Sequence, residues 1–171
     1  SGALADTGIK IDGLTLPGTS CINDCNGLFL MKLDQNGVPQ WAKPILGDNL
    51  TDHSLGGLTS DGSGNIYMAG NYQGATLDFF GGNTVYQNLP GNGFFMAKFN
   101  NRGAVDWVRF LEDSSEGEAY NVQIEYTNNL LAVYGYYYDG LLEFGNNVQI
   151  DTFSQGDYFI AVFQASDGNA L

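Results

Sequence analysis

Three stretches of this chain spell nearly the same strand: Leu28 to Asp34 reads Leu-Phe-Leu-Met-Lys-Leu-Asp, Phe94 to Asn100 reads Phe-Phe-Met-Ala-Lys-Phe-Asn, and Tyr158 to Gln164 reads Tyr-Phe-Ile-Ala-Val-Phe-Gln. Their starts lie 66 and 64 positions apart, and a glycine follows each, at Gly37, Gly103 and Gly168. Trp41 and Trp107 come four residues after the first two of these glycines. Each tryptophan leads on to a second glycine, Gly70 and Gly135, through a turn that is one residue shorter in the second copy. An acid and a phenylalanine stand eight residues beyond, as Asp78-Phe79 and Glu143-Phe144. Agreement at so many offsets marks a fold built by repeating one supersecondary unit.

The same ruler divides the whole chain. Residues 1–27 align with the tail of a preceding unit, Gly13 falling opposite Gly81 and Gly145. Residues 28–93 and 94–157 are two full repeats, and 158–171 supply the first strand of another. A third tryptophan would fall due one residue beyond Leu171. The expectation is therefore a segment of a larger repeat structure, with completion by another copy as the alternative.

Each unit holds about four strand-like runs parted by Gly, Asn, Asp and Ser turns, and no helical stripe. In the shared strand one face carries Phe29, Phe95 and Phe159, followed by Met31, Ala97 and Ala161. The other face carries Leu28, Phe94 and Tyr158, then Leu30, Met96 and Ile160. A sheet with one wet face alternates apolar and polar residues; these strands are apolar on both sides. Blades of about four antiparallel strands, stacked face to face about an axis, need that pattern. The expected fold is all-β with propeller-like blades, Trp41 and Trp107 packing between them, since a buried tryptophan removes about 150–250 Å² from water.

The Phe-x-Ala-Lys-Phe-type strand, the turn glycine, the tryptophan and the run Asp61, Gly64, Asn65, Ile66, Tyr67, Gly70, then Asp78-Phe79, resemble the SBBP β-propeller repeats of bacterial exported and surface proteins. The second unit departs from that signature, with Tyr126 where Asp61 stands. The resemblance implies a propeller fold and an extracytoplasmic setting, secreted or at the cell surface. It brings no shared catalytic residues.

Charge narrows the partners. Six Lys and Arg against 19 Asp and Glu give a net charge of −13, which disfavours nucleic acid and anionic membrane surfaces. No apolar run nears the roughly 20 residues that span a bilayer, so membrane insertion is not expected. Cys21 and Cys25, the two cysteines, are too few for a zinc site and read as a local disulfide, pointing to an oxidising compartment.

Catalysis needs converging titratable groups, and the candidates here are thin. His53, the single histidine, sits in a polar loop without a nucleophile signature. Asp78 and Glu143 have the look of a glycosidase pair, but they are equivalent positions of successive units and read as repeated structure. The oxygen-rich segments Asp34–Gly37 and Asp61–Asn65 have a calcium-loop flavour, yet they fall where hairpin turns are required, so no cofactor is expected. Asn49-Leu-Thr51 is a glycosylation sequon, incidental in a bacterial setting.

The remaining candidate is Tyr134-Gly-Tyr-Tyr-Tyr-Asp-Gly140. Tyr137 matches Tyr72 of the first unit, whereas Tyr136 and Tyr138 stand where that unit has Asn71 and Gln73. Tyr136, Tyr138 and Asp139 are thus the candidate ligand contacts, since tyrosine joins a flat apolar ring to a hydroxyl. The leading expectation is a non-enzymatic surface scaffold for adhesion or protein–protein contact. A carbohydrate-binding module and a filament subunit completed by strand exchange are the alternatives.

Overall fold

A computed structural model describes residues 2–4, 9–11, 13–16, 27–47, 54–73, 76–79, 84–87, 92–113, 118–138, 140–152 and 156–171. All regular elements among them are strands, so the protein is all-β. The chain runs through β1 (Gly2–Leu4), β2 (Ile9–Ile11), β3 (Leu14–Leu16), β4 (Gly27–Leu33), β5 (Pro39–Gly47), β6 (Ser54–Ser60), β7 (Ile66–Gln73), β8 (Thr76–Phe79) and β9 (Thr84–Gln87). The second repeat follows as β10 (Asn92–Phe99), β11 (Val105–Asp113), β12 (Glu118–Thr127), β13 (Leu130–Tyr138), β14 (Gly140–Gly145) and β15 (Val148–Thr152), and β16 (Asp157–Gln164) opens the next. Among the described residues each full repeat therefore has six strands where the sequence suggested about four. The run leading into Asp61 counts with Ile66–Ala69 as one in the sequence but forms a strand of its own, Ser54–Ser60, and the short run Thr84–Gln87 carries too few apolar residues to stand out.

One repeat does not make one sheet. β4, β5, β8 and β9 of the first repeat join β1 in the order β1-β4-β5-β8-β9, while β6 and β7 leave for a sheet ordered β15-β14-β11-β10-β7-β6. The second repeat does the same: β12 and β13 leave to form β12-β13-β16 with the strand that opens the third. Hence the six-stranded and three-stranded sheets each take an inner hairpin from one repeat and their remaining strands from the next, while β2 and β3 pair as a hairpin of their own. The compact units follow this interleaving, one made of residues 1–55 and 73–91, the other of 56–72 and 92–171.

Turn chemistry explains the hairpins. At Asp34, Asp61 and Asn100 a side-chain oxygen accepts hydrogen bonds from the amides two and four residues on, at 2.8–3.1 Å. The chain then closes through Gly37, Gly64 and Gly103, all with φ near +80°. That is a three-residue hairpin loop ending in a left-handed residue, which favours Asx at its start and Gly at its end. The shortened turn of the second repeat has a different solution. Asn128 and Asn129, at φ 48° and 64°, make a two-residue loop with both central residues left-handed, and Asn146-Asn147 repeat it between β14 and β15.

In the first unit, Leu16 and Phe29 form a buried pair, with Ile11, Met31, Ala42 and Leu46 packed around it. The hairpin β2–β3 so packs on Phe29 and Met31 of β4, while Leu33 on the same face is exposed. Trp41 pairs with Lys32 across β4–β5 and is half-buried.

The second unit has a core between the β10 sheet and the β12-β13-β16 sheet. Tyr67, Ala69, Phe94, Met96, Trp107 and Leu111 come from the first of these, and Val122, Ile124, Leu131, Val133, Phe159 and Phe163 from the second. Trp107 is 9% exposed, lies 6.3 Å from the Tyr67 ring and donates from Nε1 to the Ala165 carbonyl at 3.4 Å. Here a repeat tryptophan does pack between sheets. β10 is buried on both faces, Phe94, Phe95, Met96, Ala97 and Phe99 all having no exposure. β16, its counterpart, is not. Phe159 and Phe163 are buried, but Tyr158 is 86% and Ile160 77% exposed. Apolarity on both faces thus meant cover on both faces for β10, but on one face for β16.

The innermost strands approach each other closely. A Cβ at Gly56 would overlap the Val122 carbonyl oxygen, and one at Gly57 would lie 2.6 Å from the Ile124 amide nitrogen. The Gln123 side-chain amide donates to the Gly56 carbonyl at 3.0 Å across this gap. The Gly56-Gly57 pair lets the two backbones come this close because neither residue sets a Cβ between them.

Candidate functional site

Residue pairing between β12, β13 and β16 sets out the free face of the last sheet row by row. Tyr136 lies opposite Tyr158, Tyr134 opposite Ile160, and Ala132 opposite Val162. On the other side Gln123 pairs with Tyr134 and Glu125 with Ala132. Because alternate residues share a face, Tyr134, Tyr136, Tyr158, Ile160 and Val162 stand together opposite the Phe159–Phe163 core face. Gln123 and Glu125 give this apolar band a polar, acidic border.

Exposure singles this face out. Tyr134 and Val162 are each 39% exposed, beside the far more open Tyr158 and Ile160. Tyr136 is half-buried, its ring edge-on to Tyr158 with centroids 5.3 Å apart at 69°. Gly156 lies under the Tyr136 ring so closely that a Cβ there would overlap the hydroxyl. The Tyr136 ring is thereby seated against the chain at Gly156.

Of the three ligand contacts expected from sequence, Tyr136 is on this face. Tyr138 ends β13, its backbone paired with Glu118. Asp139 lies outside the described residues, as do Cys21, Cys25, His53 and the sequon at Asn49. Tyr134, Tyr158, Ile160 and Val162 were missed. Strand parity held the signal: Tyr136 and Tyr134 are two apart on one strand, and Tyr158, Ile160 and Val162 share the parity of the motif strand that carries Phe94 and Met96.

The acidic candidates fall into structural positions. Asp78 pairs with Leu46 on β5, and Glu143 pairs with Glu112 on β11, so the two hold equivalent places in their sheets. Asp34 spends Oδ1 on the Asn36 and Val38 amides. Asp61 accepts from the Ser63 and Asn65 amides, from the Asn65 side chain at 2.8 Å and from the Tyr67 hydroxyl at 3.3 Å. Burial pushes the Asp61 carboxyl up, but these hydrogen bonds outweigh it and hold the group below its ordinary value. Burial, and next the Asp61 charge, push the Tyr67 hydroxyl well above the usual tyrosine range. Among the described residues no three His, Cys, Asp or Glu side chains converge as metal ligands would.

No protein-family model matches this chain, and no curated protein matches it either.

Proposed function

We propose that this chain is a non-catalytic interaction module whose interleaved sheets are propeller-like blades, carried by an exported or cell-surface protein. The observation behind this reading is the free face of Tyr134, Tyr136, Tyr158, Ile160 and Val162 on a regular sheet. Contiguous apolar patches on a soluble domain commonly mark a partner surface, and tyrosine is over-represented among the residues that carry binding energy. The SBBP-like motif residues and the acidic charge support the exported setting and weigh against nucleic acid as the partner.

A photo-reactive phenylalanine analogue in place of Ile160 tests the reading directly in cells that make the protein. Crosslinks to protein, absent when the analogue replaces the turn residue Arg102, are expected; equal yields at both positions would remove the basis for the proposal. A mass shift on alkylation that needs prior reduction would support the Cys21–Cys25 bridge and the oxidising compartment. The Tyr136–Tyr158 ring pair favours a second reading, stacking on a sugar. Saturable binding on a glycan array, lost in Tyr136→Ala, would put that reading first.

A further inference from the structure

The exposed face of the last sheet is the counterpart, position by position, of a face that is buried elsewhere in the same unit. Tyr158, Ile160 and Val162 occupy the repeat positions of Phe94, Met96 and Lys98, and Ala132 and Tyr134 those of Tyr67 and Ala69. Phe94, Met96, Tyr67 and Ala69 pack against the next sheet, where Phe94 stacks on Phe159 with centroids 5.6 Å apart and planes at 25°. What covers such a face within this unit is therefore the Phe159-Ala161-Phe163 side of a following motif strand.

The chain carries a second copy of that covering side. Phe29, Met31 and Leu33 hold the repeat positions of Phe159, Ala161 and Phe163. In the second unit, Phe159 and Phe163 are touched both by Phe144 of the outer hairpin and by residues of the inner strands. In the first unit, Leu16 of the outer hairpin β2–β3 packs on Phe29. Among the described residues of the Phe29 cluster, none stands where Phe94 stands over Phe159. Leu33 is 45% exposed.

Resting on the reading of this face as an interaction surface, the geometry points to a second copy of the chain as its occupant. The Tyr158–Ile160–Val162 face of one copy docks at the exposed Leu33 end of the Phe29–Met31–Leu33 face of the next, beside the already buried Phe29, as Phe94 and Met96 dock on Phe159 and Phe163 within a single copy. Two different faces meet, so the contact is heterologous: copies add head to tail and close into a ring or extend. Apolar attraction works here against a −13 charge on each copy, so added salt strengthens the association by screening repulsion.

Sedimentation velocity on the 171-residue chain over a wide concentration range, in moderate salt, tests this. The unaltered chain is expected to form concentration-dependent oligomers. Ile160→Lys and Leu33→Lys alter exposed positions and should leave the circular dichroism spectrum unchanged. Each should weaken self-association at least about tenfold, the scale of one lost interface anchor. Mixed together, they should restore a one-to-one dimer, because each keeps the face the other lacks. A monomer at every concentration would overturn the proposal, as would a Leu33→Lys variant that dimerises by itself, which means two like faces meet. A monomer that still crosslinks to another protein through position 160 would overturn only self-docking and leave the interaction-module reading standing.

Discussion

Phe94 and Phe159 stack across two sheets although they come from neighbouring positions of one repeated motif, the first apolar residue of one copy and the second of the next. That half-step makes successive motif strands lie back to back. A double-mutant cycle with Phe94→Leu and Phe159→Leu, followed by urea unfolding, should return a coupling of about 0.5–1.5 kcal/mol, the size of an aromatic pair beyond its area burial. Additive losses would mean that the rings do not depend on each other.

Two turn glycines should respond differently to the same change. Gly37 and Gly168 both have positive φ, but a Cβ meets nothing within 4 Å at Gly37 and lies 2.9 Å from Trp107 Cζ3 at Gly168. Gly37→Ala should cost about 1–2 kcal/mol from backbone strain alone. Gly168→Ala adds overpacking against the indole, about 1–3 kcal/mol more. Equal shifts in the urea midpoint would argue against the tight seat on Trp107.

The close approach at Gly56 makes a sharper contrast. Gly56→Ala sets a methyl against the backbone carbonyl of Val122, which cannot turn aside as a side chain could. A loss of more than about 2 kcal/mol is expected, whereas Gly62→Ala, with open space around it, should stay within about 0.5 kcal/mol in stability. Thermal unfolding of both variants checks this.

Asp61 should make the fold acid-sensitive. Its folded-state pKa lies below the ordinary value of 3.8. The stabilisation it brings is therefore complete above that value and is lost as pH falls through the lower folded one. Between about pH 5 and pH 2.5 the wild type should lose more stability than Asp61→Asn, which has no charge to lose. Parallel curves of urea midpoint against pH would show that the Asp61 hydrogen bonds do not depend on its charge.

Much of the local structure could be read in the residues. Asp34, Gly37, Asp61 and Gly64 announce their turns because a side-chain acceptor and a left-handed glycine act over four or five residues. The period of two in Phe29, Met31 and Leu33 announces a strand for the same local reason. Tyr136 was found because it breaks from its repeat. Tyr158 and Ile160 were not, because their apolar character is shared with Phe94 and Met96, which are buried.

Turn chemistry, strand period and the repeat length were settled residue by residue, since each depends on backbone preferences and on neighbours within one hairpin. The departure of β6–β7 and β12–β13 into the following sheet was settled by long-range pairing, and so was the face of β16 left open. Backbone hydrogen bonds join any two strands alike, so an apolar strand declares that it must be covered, but not by what.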